Sequence, residues 1–60
     1  MTEEKIIRTL RELSSLATGA SGFYKKPDAD ELETLGLVER VGSVYRLTHQ
    51  GEKRLRQSAG

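Results

Sequence analysis

The chain has no cysteine and no tryptophan, one proline, one histidine and three aromatic rings in sixty residues. Each shortage closes a class of function. Without cysteine there is no disulfide framework, thiolate nucleophile or sulfur-ligated metal. A lone histidine, His49, cannot build a zinc site, and beside Thr48 it is expected to face solvent. The serines have no visible base arrangement, and so small a domain can hardly supply the supporting shell that a Ser–His–acid site needs. There is no glycine-rich phosphate loop. Asp28-x-Asp30 lacks the glycine and the spaced final glutamate of a calcium loop. No catalytic residue, metal or cofactor is therefore expected. No apolar run approaches the roughly 20 residues of a membrane span. The acidic start Met1-Thr2-Glu3-Glu4 is unlike a signal peptide, so a cytoplasmic protein is the expectation.

What remains is charge and pattern. Charged residues make up 32% of the chain, and the net charge of +1 conceals an uneven distribution. Lys5, Arg8 and Arg11 balance Glu3, Glu4 and Glu12. Lys25 and Lys26 form a basic pair. Asp28, Asp30, Glu31, Glu33 and Glu39 follow as an acidic middle. Arg40, Arg46, Lys53, Arg54 and Arg56 then face only Glu52. Such segregated patches suit binding to separate partners, or to each other in a second copy. A 60-residue chain forms one domain and buries only about 60% of its unfolded surface. Residues 1–60 are read as a single unit, with 57–60 a fraying tail.

The apolar residues are ordered rather than scattered. Ile6, Leu10, Leu13 and Ala17 recur on one helical stripe, flanked by Ile7 and Leu16, and predict a helix over 3–17. Thr2 suits its N-cap, and Thr18-Gly19 its end. Residues 19–26 read as a crossover, either a single helical turn or extended. Of its two rings, at least one is expected to plug the core. Phe23, the only phenylalanine, is the stronger candidate. An exposed ring beside Lys25 and Lys26 would instead suit stacking on bases.

A short second helix is predicted over 28–35. Asp28 would be its N-cap and Glu31 the reciprocal member of a capping box, with Leu32 and Leu35 inward and Gly36 the stop. Gly42-Ser43 fits a two-residue hairpin turn with glycine first. This pairs Val41 with Val44, Arg40 with Tyr45, Glu39 with Arg46 and Val38 with Leu47. Opposite charges then meet across one face, while Val38, Tyr45 and Leu47 turn towards the helices. Thr48 caps a last helix. Gly51 in its first turn costs roughly 1 kcal/mol against alanine, so close packing against a neighbour is expected there. The predicted core is Leu10, Leu13, Leu32, Leu35, Leu37, Tyr45, Leu47 and Leu55.

Leu32, Leu35, Gly36, Leu37, Val38, Tyr45, Leu47, Thr48 and Gly51 together resemble the C-terminal half of winged helix-turn-helix domains, over about 40% of the chain. The resemblance implies a mainly α fold with a small β-hairpin: helix, short crossover, helix, two-stranded wing, helix. The usual extra helix before the recognition position is missing. The recognition position itself, 28–35, carries Asp30, Glu31 and Glu33 where DNA readers offer basic or amide side chains.

Two functions stay open. The family's habit implies a small, non-enzymatic, regulator-like module for transcription that grips DNA phosphates through Lys25, Lys26, Arg40 and Arg46. The acidic helix instead suits docking to a basic protein through Asp30, Glu31 and Glu33, or to Lys53, Arg54 and Arg56 of a second copy in a homodimer.

Overall fold

The computed structural model describes residues 2–19 and 22–58. Helix α1 (Glu3–Ala17) is followed by α2 (Lys26–Thr34), strands β1 (Val38–Val41) and β2 (Val44–Leu47), and helix α3 (His49–Ser58). Three helices and a two-stranded antiparallel hairpin in this order make the layout of a minimal winged helix.

Local chemistry explains where α1 starts and stops. The Thr2 hydroxyl accepts from the Lys5 N–H at 3.2 Å, which satisfies one of the free donors of the first turn. The chain leaves the helix at Gly19, whose φ of 88° is a left-handed value that glycine adopts without steric cost. Ile6, Ile7, Leu10 and Leu13 are buried. Leu16 and Ala17, expected to continue the stripe, are exposed because the last turn of α1 runs past the core.

The second helix departs from expectation at both ends. It begins at Lys26, not Asp28, and its N-cap, Lys25, makes no side-chain capping bond. Pro27 falls in the first turn, where its missing N–H costs nothing and its fixed φ already suits the helix. Asp28 therefore does not cap. It sits within the first turn, favoured by the helix dipole, with its carboxylate 3.6 Å from Lys5 Nζ on α1.

At the other end Leu35 is the C-cap and 54% exposed, so it does not join the core. Gly36, at φ 79°, turns the chain. Its N–H donates to the Glu33 carbonyl and that of Leu37 to the Leu32 carbonyl, both at 3.0 Å. This paired pattern closes a helix with glycine just beyond the cap and brings the next residue back inwards. Leu37 is thus buried as expected, and Leu35, expected beside it in the core, is not.

The hairpin register is as expected: Val38↔Leu47, Glu39↔Arg46, Arg40↔Tyr45 and Val41↔Val44. Gly42 is at φ 64°, whereas Ser43 is not left-handed, as a glycine-first turn requires. Val38 and Tyr45 are buried, and Leu47 packs against the core.

Thr48 then performs several tasks at once. Its N–H donates to the Leu37 carbonyl at 3.0 Å. Its hydroxyl donates to the Gly36 carbonyl at 2.7 Å and accepts from the Gly51 N–H at 3.1 Å. A Cβ on Gly51 would lie 1.9 Å from the Leu37 carbonyl oxygen, which is why only glycine fits there. The core comprises Ile6, Ile7, Leu10, Leu13, Ala29, Leu32, Leu37, Val38 and Tyr45, with Tyr24, Leu47 and Leu55 packed against it. Gln57 and Ser58 are helical, and the rest of the expected fraying tail lies outside the described residues.

Candidate nucleic-acid interface

Among its described residues the crossover has no helix of its own: residues 22–25 form no regular element, and Lys25 is extended. It is held against α1. The Phe23 N–H donates to Glu12 Oε2 at 2.8 Å. A Cβ on Gly22 would lie 2.9 Å from the Glu12 carbonyl oxygen and 3.1 Å from Leu16 Cγ.

Tyr24 is the ring that turns in. It meets Tyr45 edge-on, with centroids 5.8 Å apart and planes at 79°, a favourable aromatic geometry. Phe23 is 76% exposed, contrary to the expectation that it would plug the core. Choosing between the rings required knowing that Glu12, eleven residues away, fixes the crossover's orientation.

Phe23 projects beside a groove of about 600 Å³ whose lining includes Lys5, Arg8, Glu12, Lys25 and Asp28. Lys5 and Arg8 look like an ordinary solvated helix face in the sequence, yet they face this same groove. Both are partly neutralised, Lys5 by Asp28 and Arg8 by Glu4 at 3.3 Å. Lys25 and Lys26 are exposed and form no ion pair among the described residues. They stand at the positive end of α2, which has no side chain capping its first turn.

The four basic residues expected to contact phosphates do not converge on one face. Lys25 and Lys26 adjoin. Arg40 lies on the hairpin face shared with Tyr45, and its Nε donates to the Gly42 carbonyl at 3.4 Å. Arg46 lies on the other face, paired in register with Glu39.

The acidic helix is not simply an outward patch. The Tyr45 hydroxyl donates to Asp30 Oδ1 at 2.6 Å and so ties the hairpin to α2. This bond to a carboxylate, with burial second, holds the Tyr45 phenol above its ordinary range, and the charge of Arg40 partly counters it. Asp30 thus has a structural partner, and Arg40 acts on the same cluster as Asp30 and Glu33.

In the C-terminal basic group, Arg54 is engaged with Glu3 through two hydrogen bonds, one of them 2.9 Å from Nε to Oε1. That pairing holds the Glu3 carboxyl below its ordinary value. Among the described residues no cluster of three His, Cys, Asp or Glu side chains could hold a metal, and no helix is long and apolar enough to cross a membrane. No family model, curated protein or solved structure matches the chain.

Proposed function

We propose that this chain is a small non-enzymatic nucleic-acid-binding module, regulator-like in character, that contacts DNA through the segment 23–26. The observation that carries this reading is the 76% exposure of Phe23 two residues before Lys25 and Lys26, which form no ion pair among the described residues. A large apolar ring costs free energy in water and needs a reason to be there. Base stacking on an aromatic side chain is worth about 1–3 kcal/mol per base. Lys25 and Lys26 supply phosphate contacts beside it, and the uncapped end of α2 reinforces them. Arg40 offsets part of the negative charge of Asp30 and Glu33, which lowers the repulsion a phosphate backbone would meet. Docking of α2 on a basic protein has weaker support, because the Asp30 carboxylate is already bonded to Tyr45.

The test is a heteronuclear NMR titration with duplex and single-stranded DNA at about 50 and 200 mM salt. Shifts centred on Phe23, Lys25 and Lys26 are expected, reaching Lys5 and Arg8 across the groove. Affinity should fall with salt by roughly one log–log unit per phosphate neutralised. Absence of shifts at the lower salt, or shifts confined to α3, would contradict the proposal.

A further inference from the structure

The outer face of the hairpin, turned away from the core, carries four residues: Glu39, Val41, Val44 and Arg46. Val41 and Val44 are paired directly across the strands and are 46% and 55% exposed. One level along, Glu39 faces Arg46. This is a square with an apolar row and a charged row. Beside β2, Val44 and Arg46 continue into a groove of about 590 Å³, lined also by Leu13, Leu16 and Ala17. The groove also takes in Tyr24 and Tyr45, so it lies between β2 and α1 at the border of the outer face.

The geometry points to a homodimer in which two hairpins pack outer face to outer face. The register decides the symmetry. Two sheets stacked about 10 Å apart can be related by a twofold axis along the strands or by one across them. An axis along the strands, midway between β1 and β2, lays β1 of each copy over β2 of the other. Each Val41 then meets the partner copy's position 44, and each Glu39 the partner copy's position 46, so valine covers valine and glutamate meets arginine twice. An axis across the strands midway between the rows would set the charged row on the valines and leave the charges desolvated, and one through the valine row would leave the charges at the two ends without partners. Only the first arrangement both covers the valines and pairs every charge, and since any twofold interface is isologous, charge pairing is what selects it.

The patch is smaller than the roughly 1,200 Å² of total buried surface typical of stable complexes. Self-association is therefore weak, with a dissociation constant on the order of hundreds of micromolar. This surface does not involve Phe23, Lys25 or Lys26, so the inference does not depend on nucleic-acid binding.

Sedimentation equilibrium on the full chain without nucleic acid, from micromolar to millimolar protein, tests it. The average mass is expected to rise from 6.7 kDa towards twice that value. Val44→Lys, Glu39→Arg and Arg46→Glu should each weaken association by tenfold or more. The double exchange Glu39→Arg with Arg46→Glu should restore it, because arginine at 39 again meets glutamate at 46. All four positions are solvent-facing, and circular dichroism would verify that each variant folds. A parent that stays monomeric at millimolar concentration overturns the proposal. So does a parent whose association is unchanged by Val44→Lys, or a double exchange no better than either single variant.

Discussion

Two segments join the elements of the fold, and they are built in opposite ways. The junction of Gly36-Leu37 with Thr48–Gly51 is held by backbone groups and the Thr48 hydroxyl. Leu37 lends one carbonyl to Thr48, Thr48 bonds Gly36 and Gly51, and Gly51 lies flat against the Leu37 carbonyl. The crossover 22–25 is attached by a carboxylate–amide bond from Glu12 and the edge of one tyrosine ring. The first segment hides its apolar residue, Leu37, in the core, whereas the second turns its largest apolar residue, Phe23, into water. The contrast separates what holds the fold from what the fold presents. A binding segment is expected to be lightly attached, because the cohesion lies in the scaffold beneath it.

Substitutions can sharpen this contrast. The largest effect should come from Gly51→Ala. No rotamer change can relieve a methyl group 1.9 Å from a backbone oxygen, so α3 must move off Leu37. Thermal unfolding followed by circular dichroism should show the cooperative transition lost or shifted far down. Next, Leu32→Ala removes a side chain that is fully buried and should cost about 2–5 kcal/mol by urea unfolding. That is a large share of the stability of so small a domain. Leu35→Ala should cost far less, since Leu35 lies largely in water. A reversal of that order would contradict the inward placement of Leu32 and the outward placement of Leu35.

Much of the first segment was legible in the sequence, because its rules are local. A glycine after a helix, a threonine before the next and a glycine opening a two-residue turn each have one dominant backbone meaning. The hairpin register followed from Gly42-Ser43 and the Glu39–Arg46 pairing. The crossover was not legible, because its geometry rests on partners far along the chain: Glu12 for Phe23 and Tyr45 for Tyr24. The start of α2 was misread for a related reason. Asp28 has a capping residue's chemistry, but Pro27 fits the first turn and Lys5 claims the carboxylate from α1. The register already set Arg40 and Arg46 on opposite faces of the hairpin, but where Lys25 and Lys26 lie relative to them depends on the crossover.

Smaller effects probe single bonds. Thr48→Val keeps the shape but loses the hydroxyl's bonds to Gly36 and Gly51, and should cost about 1–2 kcal/mol by urea unfolding. A loss within experimental error would mean that the backbone contacts alone hold the junction. At the far end of the scale lies Glu3, which joins α1 to α3 through Arg54. Its folded-state pKa is depressed below the ordinary 4.5. Its stabilising contribution is therefore fully present above that value and is lost as pH falls through the folded pKa. Glu3→Gln should lower stability slightly at neutral pH and leave it unchanged below the folded pKa, which flattens the acid side of the profile. Because the pair is exposed, the effect should shrink further in high salt.

The most direct test of the division between scaffold and presented surface is Phe23→Ala, measured for both stability and DNA affinity on the same sample. Urea unfolding should shift by no more than about 0.5 kcal/mol, as for surface substitutions generally. Affinity for DNA at low salt should fall by about 1–3 kcal/mol, the stacking contribution of one ring. A variant that loses stability but keeps its affinity would contradict the account, because it would make Phe23 part of the core and leave the crossover without its proposed role.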